Sequence, residues 1–282
     1  MKVKKTYKLF VNGEFVRSES GRAYRPHEIK GFRGDPSSRP NGNVNVPRGS
    51  RKDLRDAVRA ARTAFGGWAG RTAMNRGQIL YRAAEMLDGR GAEFVGLLGG
   101  GARARRELDQ AVATFVWYAG WTDKLAQVTG TVNPVAGPYF NFTIPEPTGV
   151  VAIVAPDDSP LAGLVRRVAP ALCGGNVVVA LAPESRPLPA LTLAEVLATS
   201  DVPAGVVNVI SGQRRELLPW LASHMDVNAI DTAGCTADEI KAIEESAAGN
   251  VKRVVKVAAG EESPQLITAF MEMKTVWHPI GV

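Results

Sequence analysis

The chain has 282 residues, 45% of them hydrophobic and 22% charged, which supports one large or two ordinary domains and argues against a disordered chain. No apolar run approaches the roughly 18 residues that cross a bilayer, so no membrane span is expected. The net charge of +6 comes from 34 basic and 28 acidic residues that are interleaved, as in "RKDLRDAVRAAR", which argues against nucleic acid as a partner.

The opening "MKVKKTYKLFVNGEF" is basic, but its apolar part is too short and too polar for a secretory signal. With two well-separated cysteines, Cys173 and Cys235, this points to a cytoplasmic protein with reduced thiols. Neither these cysteines nor His27, His224 and His278 sit at zinc spacing, so no metal is expected.

In chain order, "YKLFVNGEFV" at 7–16 alternates around Asn12-Gly13 and reads as a small hairpin. Residues 22–50, rich in Gly, Pro, Arg and Asn, read as irregular. "SRKDLRDAVRAARTAFGGWAG" predicts an amphipathic helix capped by Ser50, with Leu54, Val58, Ala61 and Phe65 on one face and Gly66-Gly67 ending it. A second helix is expected over Thr72–Asp88. Gly99-Gly100-Gly101 reads as a linker between helices, since a phosphate-binding loop would follow a strand. A long helix then runs from about Arg103 to Val128.

Past residue 131 the period changes. "GPYFNFTIPEP" alternates Tyr139, Asn141 and Thr143 against Phe140, Phe142 and Ile144, the pattern of a two-sided strand. Strands are expected at Val150–Ala155, Val177–Leu181, Val206–Ile210, Ala229–Asp231 and Val251–Ala258. Helices are expected between them at Leu161–Cys173, Leu188–Ala198, Leu217–Ser223 and Ala237–Ala248. This alternation predicts an α/β fold with a Rossmann-like parallel sheet flanked by helices. The tail "ITAFMEMKTVWHPIGV" is strand-like again, with Phe270, Glu272, Lys274 and Val276 on one face, and reads as an arm outside the core.

Residue types alone yield little chemistry. There is no Gly-x-Ser-x-Gly elbow. His224, in "WLASHMDV", reads as a surface histidine at a helix end. Adjacent Asp157 and Asp158 would point to different sides of an extended loop, a poor paired-carboxylate site. Cys173 reads as a small core filler, and Cys235, just before a helix, has no base near it in sequence.

The segments in order resemble the aldehyde dehydrogenase superfamily, and the likeness runs over nearly the whole chain. It is carried by "FVNGEFVRSESGR", "AFGGWAG" with "NRGQILYRAAEML", "YAGWTDKLAQV", "EPTGVVAIVAPDDSPL", "VAPALCGGNVVV", "DVPAGVVNVISG", "DVNAIDTAGCT" and "NVKRVVKV". The resemblance implies a division into residues 1–137 (hairpin and helices of the cofactor-binding domain), 138–147 (an oligomerisation strand), 148–264 (the Rossmann-like core) and 265–282 (a C-terminal oligomerisation strand). It also implies an NAD or NADP site, of which Glu184 and Gly234 are the retained residues.

The departures from the family pattern are equally informative. Asp158 stands where the family has the Asn that donates to an oxyanion, and an acceptor carboxylate cannot do that. Leu181 takes the place of the Lys at the cofactor's ribose, Cys235 that of the Ser beside the pyrophosphate, and Arg214 that of a glycine nearby. Val257 falls where the general-base Glu is expected. After "GEESP" at 260–264 the family continues into its catalytic domain with the nucleophilic cysteine, whereas this chain passes within a few residues to "FMEMKTVWHPIGV".

Taken together these features resemble the cysteine-less second half of two-domain aldehyde dehydrogenases, with the catalytic domain deleted. The expected function is a catalytically inactive subunit, without a required cofactor, that assembles with a full-length catalytic aldehyde dehydrogenase. The alternative is an oxidoreductase of the family, or a sensor, that still binds a dinucleotide. No catalytic residues of its own are expected.

Overall fold

In the computed structural model, residues 5–26, 44–257 and 262–281 are described. Asn12 and Gly13 both have positive φ, 54° and 78°, the turn that suits a right-twisted hairpin. They join β1 (Leu9–Val11) to β2 (Glu14–Val16) in the expected hairpin. β3 (Ala23–Tyr24) pairs with β4 (Val46–Pro47), so part of the stretch expected to be irregular is a short ladder. Residues 27–43, with His27, lie outside the described residues.

α1 (Arg51–Ala69) starts at Ser50 through a capping box with Asp53. It does not stop at Gly66-Gly67 as expected but runs to Gly70. The reason is Trp68, which continues the apolar stripe, is 1% exposed and donates from Nε1 to the Leu172 carbonyl at 3.3 Å. Burial of an aromatic of that size outweighs the helix cost of two glycines, about 1 kcal/mol each.

α2 (Ala73–Gly89) begins at a Thr72 cap, as expected. α3 (Gly91–Leu97) has no counterpart among the expected elements. The glycines that follow have φ of 99°, 79° and 75°, a linker conformation natural only to glycine. α4 (Gly101–Ala119) replaces most of the expected long helix, which breaks at Gly120 and resumes as α5 (Leu125–Thr129). The break lets α2 close in at Gly77, where a Cβ would lie 2.6 Å from Thr122 Oγ1 and 2.9 Å from the Ala119 carbonyl.

β5 (Thr131–Asn133) and β6 (Tyr139–Pro147) precede the core. The core then alternates as the sequence predicts: β7 (Val150–Val154), α6 (Ala162–Cys173), β8 (Val177–Leu181), α7 (Leu188–Ala198), β9 (Val207–Ile210), α8 (Arg214–Ser223), β10 (Ala229–Asp231), α9 (Ala237–Ala247) and β11 (Arg253–Val255). β11 is shorter than expected: Val251 sits in a left-handed turn, φ 56°, and Ala258 lies outside the described residues. β7 and β8 are apolar and buried throughout, as strands covered on both faces must be.

The main sheet has the order β11-β10-β7-β8-β9-β1-β2. The five core strands are parallel, and the hairpin extends them antiparallel through Phe10 against Val209. The chain steps from β7 to β8 to β9 in one direction and then returns to β10 and β11 on the far side of β7. With right-handed crossovers, that reversal puts α6 and α7 on one face and α9 on the other. The switch point falls between β7 and β10.

The tail is part helix: α10 (Pro264–Thr268) places Ile267 in the core, and Phe270 is buried with it rather than lying on an arm face. β12 (Met271–Pro279) pairs with β6 over its whole length, from Met271 opposite Pro147 to Pro279 opposite Tyr139. With β5 they form a separate three-stranded sheet. Among the described residues no helix is long and apolar enough to cross a membrane.

Candidate functional site

In open α/β sheets the ligand crevice lies beyond the carboxyl ends of the strands at the switch point. Here it is framed by the loop 155–161 after β7, the turn 232–236 after β10, and the segments that follow β8 and β9. These loops carry Asp157, Glu184, Arg214 and Gly234.

Arg214 draws them together. It is the first residue of α8, and its backbone N–H donates to Glu184 Oε2 at 3.0 Å. Its guanidinium crosses the crevice: Nη1 donates to the Gly234 carbonyl at 2.6 Å and to Glu239 Oε2 at 3.4 Å, and Nη2 to Asp157 Oδ2 at 3.0 Å. The side chain is only 13% exposed. Asp157 is held in turn by the Ser185 N–H at 2.8 Å and its hydroxyl at 2.6 Å. The structure therefore brings Glu184 and Gly234 onto one residue that the sequence marks only as a departure. The helix expected to begin at Leu217 begins a turn earlier. Gln213 makes no side-chain cap, and the Glu184 carboxylate, distant in sequence, supplies it.

Other helix starts at this edge are also satisfied by carboxylates of the chain itself. Glu107, from α4, accepts from the Leu161 N–H at 3.0 Å and the Ser159 hydroxyl at 3.4 Å at the entrance of α6. Glu239 turns back to the Thr236 N–H at 2.8 Å, closing a capping box on α9. Glu107 gives no local signal because it arrives from another helix. Glu239 is readable in Thr-Ala-Asp-Glu at 236–239.

Gly234 has a packing reason of its own. A Cβ there would lie 2.4 Å from the Ala155 carbonyl oxygen and 2.6 Å from that of Val154, and its N–H donates to the Val154 carbonyl at 3.0 Å. Beneath the crevice, Arg167 of α6 places Nη1 3.5 Å from Asp231 Oδ2 and donates through Nη2 to the Val257 carbonyl at 2.9 Å. Burial pushes the Asp231 carboxyl up to about 6, against the opposing pull of Arg167 and the Ala233 N–H.

Of the remaining candidates, Asp158, Cys235 and Leu181 lie on the loops and strand end that frame the crevice, whereas Cys173 and His224 lie at the far ends of α6 and α8. Burial, with Glu239 nearby, pushes the Cys235 thiol up to about 12, so it is no thiolate at neutral pH. Cys173 is buried and likewise pushed up to about 12 by burial. Asp158 is exposed and Leu181 is 4% exposed at the end of β8. His224 ends α8, where its carbonyl accepts from Lys252 Nζ at 2.7 Å. Among the described residues no group of three or more His, Cys, Asp or Glu is placed to hold a metal ion.

A dinucleotide would bring a doubly negative pyrophosphate that needs free N–H donors and unshared positive charge. The first-turn donors named above are spent on Glu107, Glu184 and Glu239. Arg214 is already shared between Asp157 and Glu239, and Arg186 donates to the Leu98 carbonyl at 3.2 Å. The residues present do not fit that group.

Fold and crevice define an α/β protein with a Rossmann-like core and a separate β sheet. A model described as "Aldehyde dehydrogenase family" matches residues 36–278, and the chain belongs to that family. It is 33% identical over 273 residues to retinal dehydrogenase 2 of Homo sapiens, spanning 93% of this chain and 50% of the relative. It is 33% identical over 279 residues to cytosolic 10-formyltetrahydrofolate dehydrogenase of Xenopus tropicalis, spanning 95% of this chain and 30% of the relative. Among solved structures, an NAD+ complex of aldehyde dehydrogenase from Bacillus cereus matches with a TM-score of 0.78 at 28% identity, over 91% of this chain and 51% of that one. A putative aldehyde dehydrogenase from Burkholderia cenocepacia matches with a TM-score of 0.78 at 30% identity, over 88% and 50%. The chain thus spans about half the length of most of the relatives it matches.

Proposed function

We propose that this chain is a catalytically inactive, cytoplasmic subunit that assembles with an active NAD(P)-dependent aldehyde dehydrogenase as a structural or regulatory partner and needs no cofactor of its own. The observation that carries the reading is the junction between β11 and β12. By the resemblance, the family's catalytic domain with its nucleophilic cysteine lies between the corresponding elements. Here residues 256–270 join them directly. Val257 in the general-base position and Asp158 in the oxyanion position agree with that loss.

The β5-β6-β12 sheet supports the second half of the reading. It carries exposed Phe140, Ile144, Met273, Val276 and Trp277, and β12 is an edge strand of nine residues. A three-stranded sheet with apolar side chains in water and a long free edge gains by pairing with another chain. A chain without its own catalytic domain lacks the complementary half for symmetric exchange, which favours a different, full-length partner.

Co-expression with a full-length relative is expected to give a stable hetero-complex that Trp277→Asp in this chain abolishes. Because Trp277 is 59% exposed and touches only the Tyr139 ring edge-on among the aromatic contacts described, that change should lower the melting of the isolated chain only slightly. A monodisperse protein indifferent to the relative, or aldehyde oxidation by this chain alone, contradicts the reading.

The alternative, an oxidoreductase or sensor that holds NAD(P) through Glu184 and Gly234, draws on the cofactor-bound relative. Its test is direct titration of the isolated chain with NAD and NADP.

A further inference from the structure

We infer that the crevice over β7 and β10 is an internally latched structural joint, with the Arg214 guanidinium standing in the space a dinucleotide would need. This deepens the reading of a subunit without its own cofactor, and rests on it for the role of the joint in an assembly.

Three segments that a bound ligand would otherwise hold in place are tied by one side chain. These are the loop after β7 through Asp157, the turn after β10 through the Gly234 carbonyl, and α9 through Glu239. The same residue's amide is fixed by Glu184 from the segment after β8. The joint is charge-saturated. Asp157 and Glu239 face one guanidinium, and Glu184 occupies its amide, so a pyrophosphate would have to displace carboxylates from a cation while adding negative charge beside them. Like charges brought into a half-buried crevice repel strongly because screening is poor there. Geometry adds to this: Arg214 is 13% exposed, and Gly234, Ala155 and Val154 are already in backbone contact, so the turn has no room to recede toward the sheet.

A latch of this kind is a folding element, and removing it should loosen the three segments together. Arg214→Ala is expected to lower the melting temperature by several degrees and to speed amide exchange in both the 155–161 loop and the 232–236 turn. Asp157→Ala added to it should cost less than Asp157→Ala alone, because the Arg214–Asp157 contact is already gone and only the Ser185 hydrogen bonds remain to be lost. An unchanged melting temperature, or fully additive losses, overturns the latch.

Millimolar NAD+ or NADP+ is expected to leave the melting of the unaltered chain where it is, and NADH fluorescence should not change on mixing. A saturable shift or fluorescence change overturns the closed crevice. Calorimetric titration of the hetero-complex with NADH separates this inference from the proposed function. Binding equal to the number of full-length subunits supports the closed crevice, and binding to every chain refutes it while leaving the assembly intact. Failure of the complex to form, with no NADH bound to the isolated chain, would remove the assembly and leave the latch standing.

Discussion

Arg167 and Asp231 meet at 3.5 Å in a place where their side chains are 2% and 0% exposed, so neither charge is compensated by water. A single long contact and one backbone N–H are weak compensation for a buried carboxylate. Asp231 consequently holds its proton up to about pH 6. Its folded value is raised above the ordinary aspartate value near 3.9, so the stabilising effect of this group is fully present below that value and is lost as pH rises through 6. A rise of about two pH units corresponds to about 3 kcal/mol. Asp231→Asn removes the dependence. Relative to the parent, the variant should gain up to about that amount between pH 4 and pH 7 in urea unfolding, and parallel pH profiles would contradict the assignment.

The glycines within α1 offer the opposite kind of change. Gly66 and Gly67 are exposed and helical, and an added methyl at either would have nothing within 4 Å. Gly66→Ala and Gly67→Ala should each stabilise the protein by about 0.5–1 kcal/mol, mainly by restricting the unfolded chain. Thermal melts of the two single variants and the pair would show it.

Gly234 should behave in the reverse sense. A methyl there collides with the backbone of Val154 and Ala155, which cannot rotate aside. Gly234→Ala is expected to destabilise by about 3 kcal/mol, the upper range of overpacking. The loss should appear equally with and without added dinucleotide. A variant of unchanged stability would mean that the turn is looser than these contacts imply.

What can be read from the sequence follows from how local each cause is. The alternation of the core is legible because buried parallel strands are uninterrupted apolar runs and their helices return at regular intervals. The end of α1 is not, because Gly66-Gly67 is a local stop signal overruled by a distant contact between Trp68 and Leu172. The start of α8 is displaced for a related reason: its cap, Glu184, belongs to the segment after β8. The same distance hides the candidate site. Glu184 and Gly234 stand out in the sequence, yet the residue that unites them shows there only as a substitution. Glu107 cannot be assigned to α6 until α4 is laid against that helix.

The hairpin turn at Asn12-Gly13 has a consequence for the order of assembly. The Asn12 N–H donates to Asn208 Oδ1 at 2.9 Å, and the Asn208 amide donates to the Val178 and Gly205 carbonyls. β1 therefore waits for β9, synthesised far later, before its outer backbone is covered. Such a distant pairing is slow to form. Until β9 arrives, Leu9, Phe10 and Val11 form a sticky ribbon on the nascent polypeptide, a segment that a chaperone would have reason to hold.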